Sequence, residues 1–159
     1  LRKLGLAFVS TALQSLISWT NLKHPNRPEM QSVFYTQTTP MLEVRFVQSI
    51  DATTPVKIAC SVKGLNPNSK HGIHIHEFGD LTDGCNTAGP HYNPLGKNTV
   101  DFLEVKTLGD LGNLVSDPFG NSYMCFKDDI VSLFSDWSII GRSVVVHAKE
   151  DDLGKKGDE

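Results

Sequence analysis

The clearest chemistry in this sequence is a pair of histidines, His74 and His76, in the largely apolar segment 71–76. On a β-strand, side chains two residues apart project from the same face, whereas an α-helix would place these two on different faces. A strand therefore presents both imidazoles to one side, and neutral imidazole is the commonest metal ligand in proteins. The pair alone is equally compatible with solvated histidines or with histidines paired to carboxylates.

Two later segments each add one histidine to this pair. His91 lies in the turn-rich loop 84–94, and His147 ends the β-branched segment 139–147. Four imidazoles without a nearby thiolate suit copper(II), while zinc bound by imidazoles is the competing interpretation. Magnesium and calcium prefer oxygen ligands and fit this set poorly.

These segments, in this order, resemble the copper/zinc superoxide dismutase family. The resemblance runs from about Ser32 to the last residue, and its motifs are residues 72–80, 89–94, 109–113, 141–147 and 151–155. It implies an enzyme that converts superoxide to dioxygen and hydrogen peroxide. It also implies one set of residues that both bind copper and carry the catalysis: His74, His76, His91 and His147.

By the same resemblance, His91 bridges copper and zinc, and it releases copper(I), takes up a proton and returns that proton with the second superoxide.

The family's zinc site adds two histidines and an aspartate. Asp110 matches the aspartate, but no histidine lies between His91 and Asp110, and Thr107 stands where one is expected. One imidazole and one carboxylate are too few for four-coordinate zinc, even if Asp101 or Glu104 contributes. We therefore predict copper without stoichiometric zinc, with Asp110 holding the loop or orienting His91.

Alternation of apolar and polar residues predicts half-buried antiparallel strands over 41–47 and 56–62. Short strands, Gly/Pro turns and no helical periodicity favour an all-β fold, a Greek-key β-sandwich or flattened barrel, as the resemblance also implies. The family's final strand has no counterpart in this sequence, so the strand is expected to be missing. Cys60 falls on the apolar face of its strand, where a small core residue is expected.

The resemblance also assigns roles to residues that do not bind metal. His71 is expected to form a structural hydrogen bond. Cys85 matches a cysteine that the family joins by a disulfide to one in the final strand, so a free thiol is expected here, with Cys60 and Cys125 as alternative partners. The family's metal-orienting aspartate and substrate-guiding arginine are likewise expected to lie beyond Glu159.

Length and charge limit the organisation of the chain and its partners. A chain of 159 residues makes one domain, and a net charge of -3 gives no indication of nucleic acid or of an acidic membrane surface as a partner. We predict a leader or non-native extension over 1–31 and a superoxide dismutase-like copper-binding domain over 32–159. The apolar run 4–19 is too short and polar for a membrane span. The expected location is cytoplasmic, or secreted or organellar if 1–28 is a genuine leader.

The favoured hypothesis is a copper-dependent superoxide dismutase whose partner is superoxide, with a homodimer as in the family. One alternative is a non-catalytic module related to the copper chaperone for superoxide dismutase, which segments 44–48 and 79–82 favour. The chain lacks the C-x-C and C-x-x-C thiols by which such chaperones transfer copper. The other alternative is an incomplete, inactive chain, because a sandwich without one strand exposes unpaired backbone groups.

Overall fold

The structure is a computed structural model that describes residues 30–38, 41–49, 54–94, 96, 99–101 and 104–151. Within these ranges the elements are strands, together with one short 3-10 turn at Gly84–Asn86. The strands are β1 (Met30–Thr38), β2 (Met41–Ser49), β3 (Val56–Lys63), β4 (Lys70–His76), β5 (Thr99–Asp101), β6 (Glu104–Lys106), β7 (Asp110–Val115), β8 (Asn121–Asp128) and β9 (Ser143–Val146). The all-β prediction is confirmed. In the described part of the chain, no helix has the length and apolar character to cross a membrane.

The strands form two main sheets in which every neighbouring pair is antiparallel. One sheet has the order β1-β2-β3-β8 and the other the order β7-β4-β9, while β5 and β6 pair with each other. The chain therefore crosses between the two main sheets after β3, after β7 and after β8, as a Greek-key sandwich requires. The strands predicted over 41–47 and 56–62 correspond to β2 and β3.

The predicted N-terminal extension lies outside the described residues up to position 29. β1, Met30–Thr38, pairs along its length with β2, so the described chain is already a strand at the predicted domain boundary, Ser32.

The core lies between the two sheets and follows the alternation of the strands. In β3 the apolar residues of one face are buried, and Cys60 among them is fully buried. Burial raises the pKa of the Cys60 thiol to about 12, so this residue is a neutral core side chain, as predicted. In β8, Tyr123 is exposed while Phe126 packs against the core, so this strand presents one face to solvent and the other to the core.

β4 is the central strand of the second sheet, and it organises the surrounding loops. Its residues 71–76 are all buried, and a register shift lies between Ile73 and His74. Backbone hydrogen bonds of 2.8 Å join the Ile75 carbonyl to the Tyr92 N–H and the Ile75 N–H to the Gly109 carbonyl. Position 109 must be glycine because a Cβ there would lie 2.4 Å from the Ile75 carbonyl oxygen.

Two phenylalanines provide a matched test of this core. Phe46 is fully buried, whereas Phe119 is 85% exposed. Phe46→Ala is expected to lower the free energy of unfolding by about 3–5 kcal/mol because it leaves a cavity. Phe119→Ala is expected to change it by less than about 0.5 kcal/mol. Urea unfolding of both variants measures the difference, and similar losses in the two would contradict the described core.

Candidate metal centre

All four histidines predicted as ligands lie together in one cluster. β4 carries His74 and His76, the chain leaving β9 carries His147, and His91 comes from the loop, where it forms an isolated antiparallel bridge with His76. One ring nitrogen from each residue lies within 4.8 Å of those of the other three. The shortest distance between ring centroids is 3.9 Å, from His74 to His91. The fold thus brings three separate segments to one small volume.

In His74 and His76, one ring nitrogen points away from the cluster, and its hydrogen bond determines which nitrogen faces the centre of the cluster. His76 donates from Nδ1 to the Gly89 carbonyl at 2.8 Å, and His74 donates from Nε2 to Asp151 at 3.0 Å. A hydrogen bond to one ring nitrogen fixes the tautomer and leaves the lone pair on the other. The inward atoms are therefore His74 Nδ1 and His76 Nε2.

These inward nitrogens fit a bound cation. Within the described structure, His74 Nδ1 is buried without a hydrogen-bond partner, which is unusual for a buried polar atom. His76 Nε2 and His147 Nε2 lie 3.4 Å apart, and two lone pairs repel at this distance unless a proton or cation lies between them. A set made of imidazole nitrogens suits copper.

Asp151 is a site residue that the sequence analysis missed. From the sequence, the aspartate that orients a metal ligand is expected beyond Glu159, but the structure shows Asp151 against His74, with both side chains only 3% exposed. Asn113 fixes Asp151 from both sides: it accepts from the Asp151 N–H at 2.8 Å and donates to the Asp151 carbonyl at 3.0 Å. The sequence signal that could have found Asp151 is its position, because it follows the predicted ligand His147 by four residues in the same charged segment.

His71 has a structural place beside the cluster, as predicted. It is fully buried and donates from Nδ1 to the His147 carbonyl at 2.9 Å. The His147 N–H in turn donates to the Gly72 carbonyl at 2.8 Å. The backbone of His147 is thus held through both its N–H and its carbonyl, and this fixes the direction from which its ring enters the cluster.

Burial controls the charge of the cluster in the metal-free protein. It lowers the pKa of His74 and of His76, and it lowers that of His147 to about 4, with neighbouring imidazoles adding to each effect. The three rings are therefore neutral near pH 7, which is the form that binds metal. For Asp110, burial would raise the pKa, but hydrogen bonds from His91 and from the Thr107 N–H outweigh burial and hold it below the usual value.

In the described part of the chain the three cysteines form no disulfide with one another, so neither Cys60 nor Cys125 is joined to Cys85. A free thiol at Cys85 stays a prediction. Partial burial raises the pKa of the Cys85 thiol, so this residue is protonated at neutral pH.

Comparisons with known proteins agree with the fold and the cluster. A family model described as copper/zinc superoxide dismutase matches residues 43–159. Superoxide dismutase [Cu-Zn] from Schizosaccharomyces pombe is 50% identical over 109 residues, which cover 68% of this chain and 71% of that protein. The Neurospora crassa protein of the same name is 49% identical over 108 residues, covering 67% and 70%. The Saccharomyces cerevisiae protein is 44% identical over 113 residues, covering 70% and 73%. The chain belongs to the copper/zinc superoxide dismutase family.

Removing the Asp151 carboxylate tests its role in orienting His74. Asp151→Ala is expected to weaken copper(II) affinity by about 10–100-fold, because a metal-binding histidine loses the acceptor that fixes its tautomer. The neighbouring Glu150→Gln is the matched control, since it removes only an exposed ion pair with Lys70. Competition with a chelator of known affinity measures both variants, and equal affinities would contradict the assigned role.

The neutral imidazoles predict how the stability of the metal-free protein depends on pH. The native pKa of His147 is about 4, against 6.5 ordinarily, so the unfolded state takes up a proton first as the pH falls. Stability is therefore complete above pH 6.5 and is lost as the pH falls towards 4, by at most about 1.4 kcal/mol per pH unit for each such histidine.

Urea unfolding of the metal-free protein between pH 7 and pH 5 measures this loss. His147→Gln is the control, because it removes one titrating group and is expected to flatten the dependence. A midpoint that stays constant over this range in the wild-type protein would contradict the assignment of neutral, buried imidazoles.

Proposed function

We propose that this chain is a copper-dependent superoxide dismutase in which His74, His76, His91 and His147 bind the copper and carry the reaction. The observation that carries the proposal is the cluster of four imidazoles, whose inward nitrogens lie within 4.8 Å of one another. The relatives named superoxide dismutase [Cu-Zn] support the choice of substrate, since they are 44–50% identical over most of the chain.

Dismutation is an exchange of one electron between two molecules of superoxide. Bound copper supplies the one-electron couple that oxidises one superoxide to dioxygen and reduces a second, with two protons, to hydrogen peroxide. Zinc has no redox chemistry and does not supply this couple. The protein must therefore hold a redox metal on ligands that remain in place, and it must deliver protons.

Three of the histidines are built to remain in place. His74 is fixed through Asp151, His76 through the Gly89 carbonyl, and the backbone of His147 through hydrogen bonds to His71 and to Gly72. His74 and His76 are 2% and 6% exposed, so water has little access to them. These residues form the rigid part of the site.

His91 is suited to move the proton. It comes from a loop rather than from a strand, and its side chain is 14% exposed, more than His74 or His76. Imidazole exchanges protons near neutral pH, and only a group that reaches solvent is able to replace a proton after each turnover. We assign His91 Nε2 as the atom that holds the proton for the peroxide product.

The cluster also favours an enzyme over the non-catalytic alternative. A module without catalytic function has no need to keep all four ligands, yet the chain retains all four together, including His147, which follows β9 rather than lying on β4 with His74 and His76. The thiol pairs used by copper chaperones are absent from the sequence. Copper bound by imidazoles matches dismutation better than copper transfer through thiols.

A homodimer and a cytoplasmic location complete the proposal. Phe78 is 51% exposed and Leu81 is 37% exposed in the same loop, and neighbouring apolar side chains on a surface favour association. In the described part of the chain the three thiols form no disulfide with one another, which suits a reducing compartment. A monomer in sedimentation of the copper-loaded protein would contradict the dimer, and recovery in an organelle fraction would contradict the location.

Replacing a rigid ligand tests the function directly. His76→Ala is expected to lower superoxide consumption by more than ~100-fold. This residue binds the metal directly, and losing a metal ligand is more damaging than losing a residue that only orients one. Tyr123→Ser is the control because that side chain is 73% exposed on the outer face of β8. Superoxide consumption and copper content are measured on the same samples, and full activity in His76→Ala with copper bound would refute the assignment.

A further inference from the structure

The surroundings of His91 do not fit a zinc ion, although the family description names zinc beside copper. A closed zinc site needs four ligands. In the described part of the structure, no further histidine or cysteine completes a metal site with His91 and Asp110, and residues 92–109 contain neither residue type. The side chains of Asp101 and Glu104 lie outside the described residues.

The outer nitrogen of His91 already has a partner in this chain. Asp110 Oδ1 lies 3.2 Å from His91 Nδ1, and both side chains are about 85% shielded from water, with exposures of 14% and 15%. The second carboxylate oxygen, Oδ2, accepts the Thr107 N–H at 2.7 Å. Both oxygens of Asp110 therefore have assigned donors, one from the imidazole and one from the backbone.

The backbone fixes this carboxylate and this imidazole relative to each other. Asp110 begins β7 opposite His74, and its N–H closes a turn onto the Thr107 carbonyl at 3.1 Å. Next to His91, Tyr92 accepts the Gly109 N–H at 2.9 Å. Main-chain hydrogen bonds on both sides thus hold the pair together without the help of a metal.

We propose that Asp110, held by the Thr107 N–H, occupies the position of a second metal at His91 Nδ1, so that this chain orients His91 for copper without zinc. The inference rests on the proposed function and names Asp110 as a positioning residue. A carboxylate that accepts the Nδ1 proton directs the Nε2 lone pair inward and makes it more basic. A zinc ion at the same nitrogen would displace that proton and withdraw electron density.

The tautomer of His91 is the quantity that distinguishes the two arrangements. Imidazole nitrogen resonances of uniformly 15N-labelled protein report which ring nitrogen carries the proton. In the metal-free wild-type protein near pH 7, we expect the Nδ1-protonated form of His91 to exceed the Nε2-protonated form by roughly ten-fold or more, because its acceptor is charged. Equal populations of the two forms would overturn the proposal.

Zinc itself provides the second arm of the test. Copper(I), which is diamagnetic, is first bound to His74, His76 and His147, and one molar equivalent of zinc is then added. We expect the His91 Nδ1–H resonance to persist and zinc to be lost on dialysis. Loss of that resonance with zinc retained would overturn the proposal and would indicate that Asp101 or Glu104 completes a zinc site.

Variants separate positioning from general structure. Asp110→Ala is expected to remove the tautomer preference, whereas Asp110→Asn keeps an acceptor and is expected to restore part of it. Asp136→Ala, which removes an exposed carboxylate, is expected to leave His91 unchanged. An unaltered tautomer in Asp110→Ala would overturn the proposal. If that variant does not fold, Asp110→Asn and the zinc addition decide the question.

The inference and the proposed function fail on different measurements. Copper-loaded wild-type protein that consumes no superoxide would refute the function, while the tautomer and the zinc addition would still show how His91 is held. Zinc retention at His91 in an active enzyme would refute the role of Asp110 and leave the function intact.

Discussion

The inward-facing nitrogens of His74, His76 and His91 each depend on a hydrogen bond made on the opposite side of the ring. An imidazole has two nitrogens, and an acceptor for one proton decides which lone pair remains for a metal. Asp151 makes this choice for His74, and the Gly89 carbonyl makes it for His76. The sheets, loops and turns around the cluster are arranged so that these acceptors reach the rings from outside.

Burying several imidazoles together costs free energy, which other interactions in the fold must offset. Each ring loses water, and the neighbouring rings repel any proton that one of them acquires, so the pKa of His147 falls to about 4. The core beneath the cluster, with Ile73 and Ile75 alternating with the histidines of β4, contributes apolar burial that offsets this cost. A bound cation would replace the missing interactions at the inward nitrogens.

Local pattern was sufficient to predict a large part of this arrangement. The His-x-His spacing predicts a shared strand face, and alternation predicts β2 and β3, because these features follow from the two-residue repeat of a strand. The family resemblance predicted that His91 and His147 join this pair in one metal site, and the structure brings all four side chains together. The incomplete zinc site was also visible in the sequence, because Thr107 stands where the family has a histidine.

The parts that sequence did not predict are contacts between distant segments. Asp151 meets Asn113 and His74 only because β4 lies between β7 and β9 in a particular register, with a shift between Ile73 and His74. A register is a property of paired strands and leaves no mark in either strand alone. The same is true of the Asp110 carboxylate, whose orientation depends on a turn closed by backbone atoms.

The reciprocal hydrogen bonds between Asn113 and Asp151 connect the metal cluster to the last described part of the chain. Asp151 contacts His74 only when the segment after His147 lies across β4, where the Lys149 carbonyl accepts the Gly72 N–H. By thermodynamic linkage, whatever favours one state of this segment favours the matching state of the cluster to the same extent. Copper affinity and the ordering of the segment after β9 are therefore coupled, and each changes the other by the same factor.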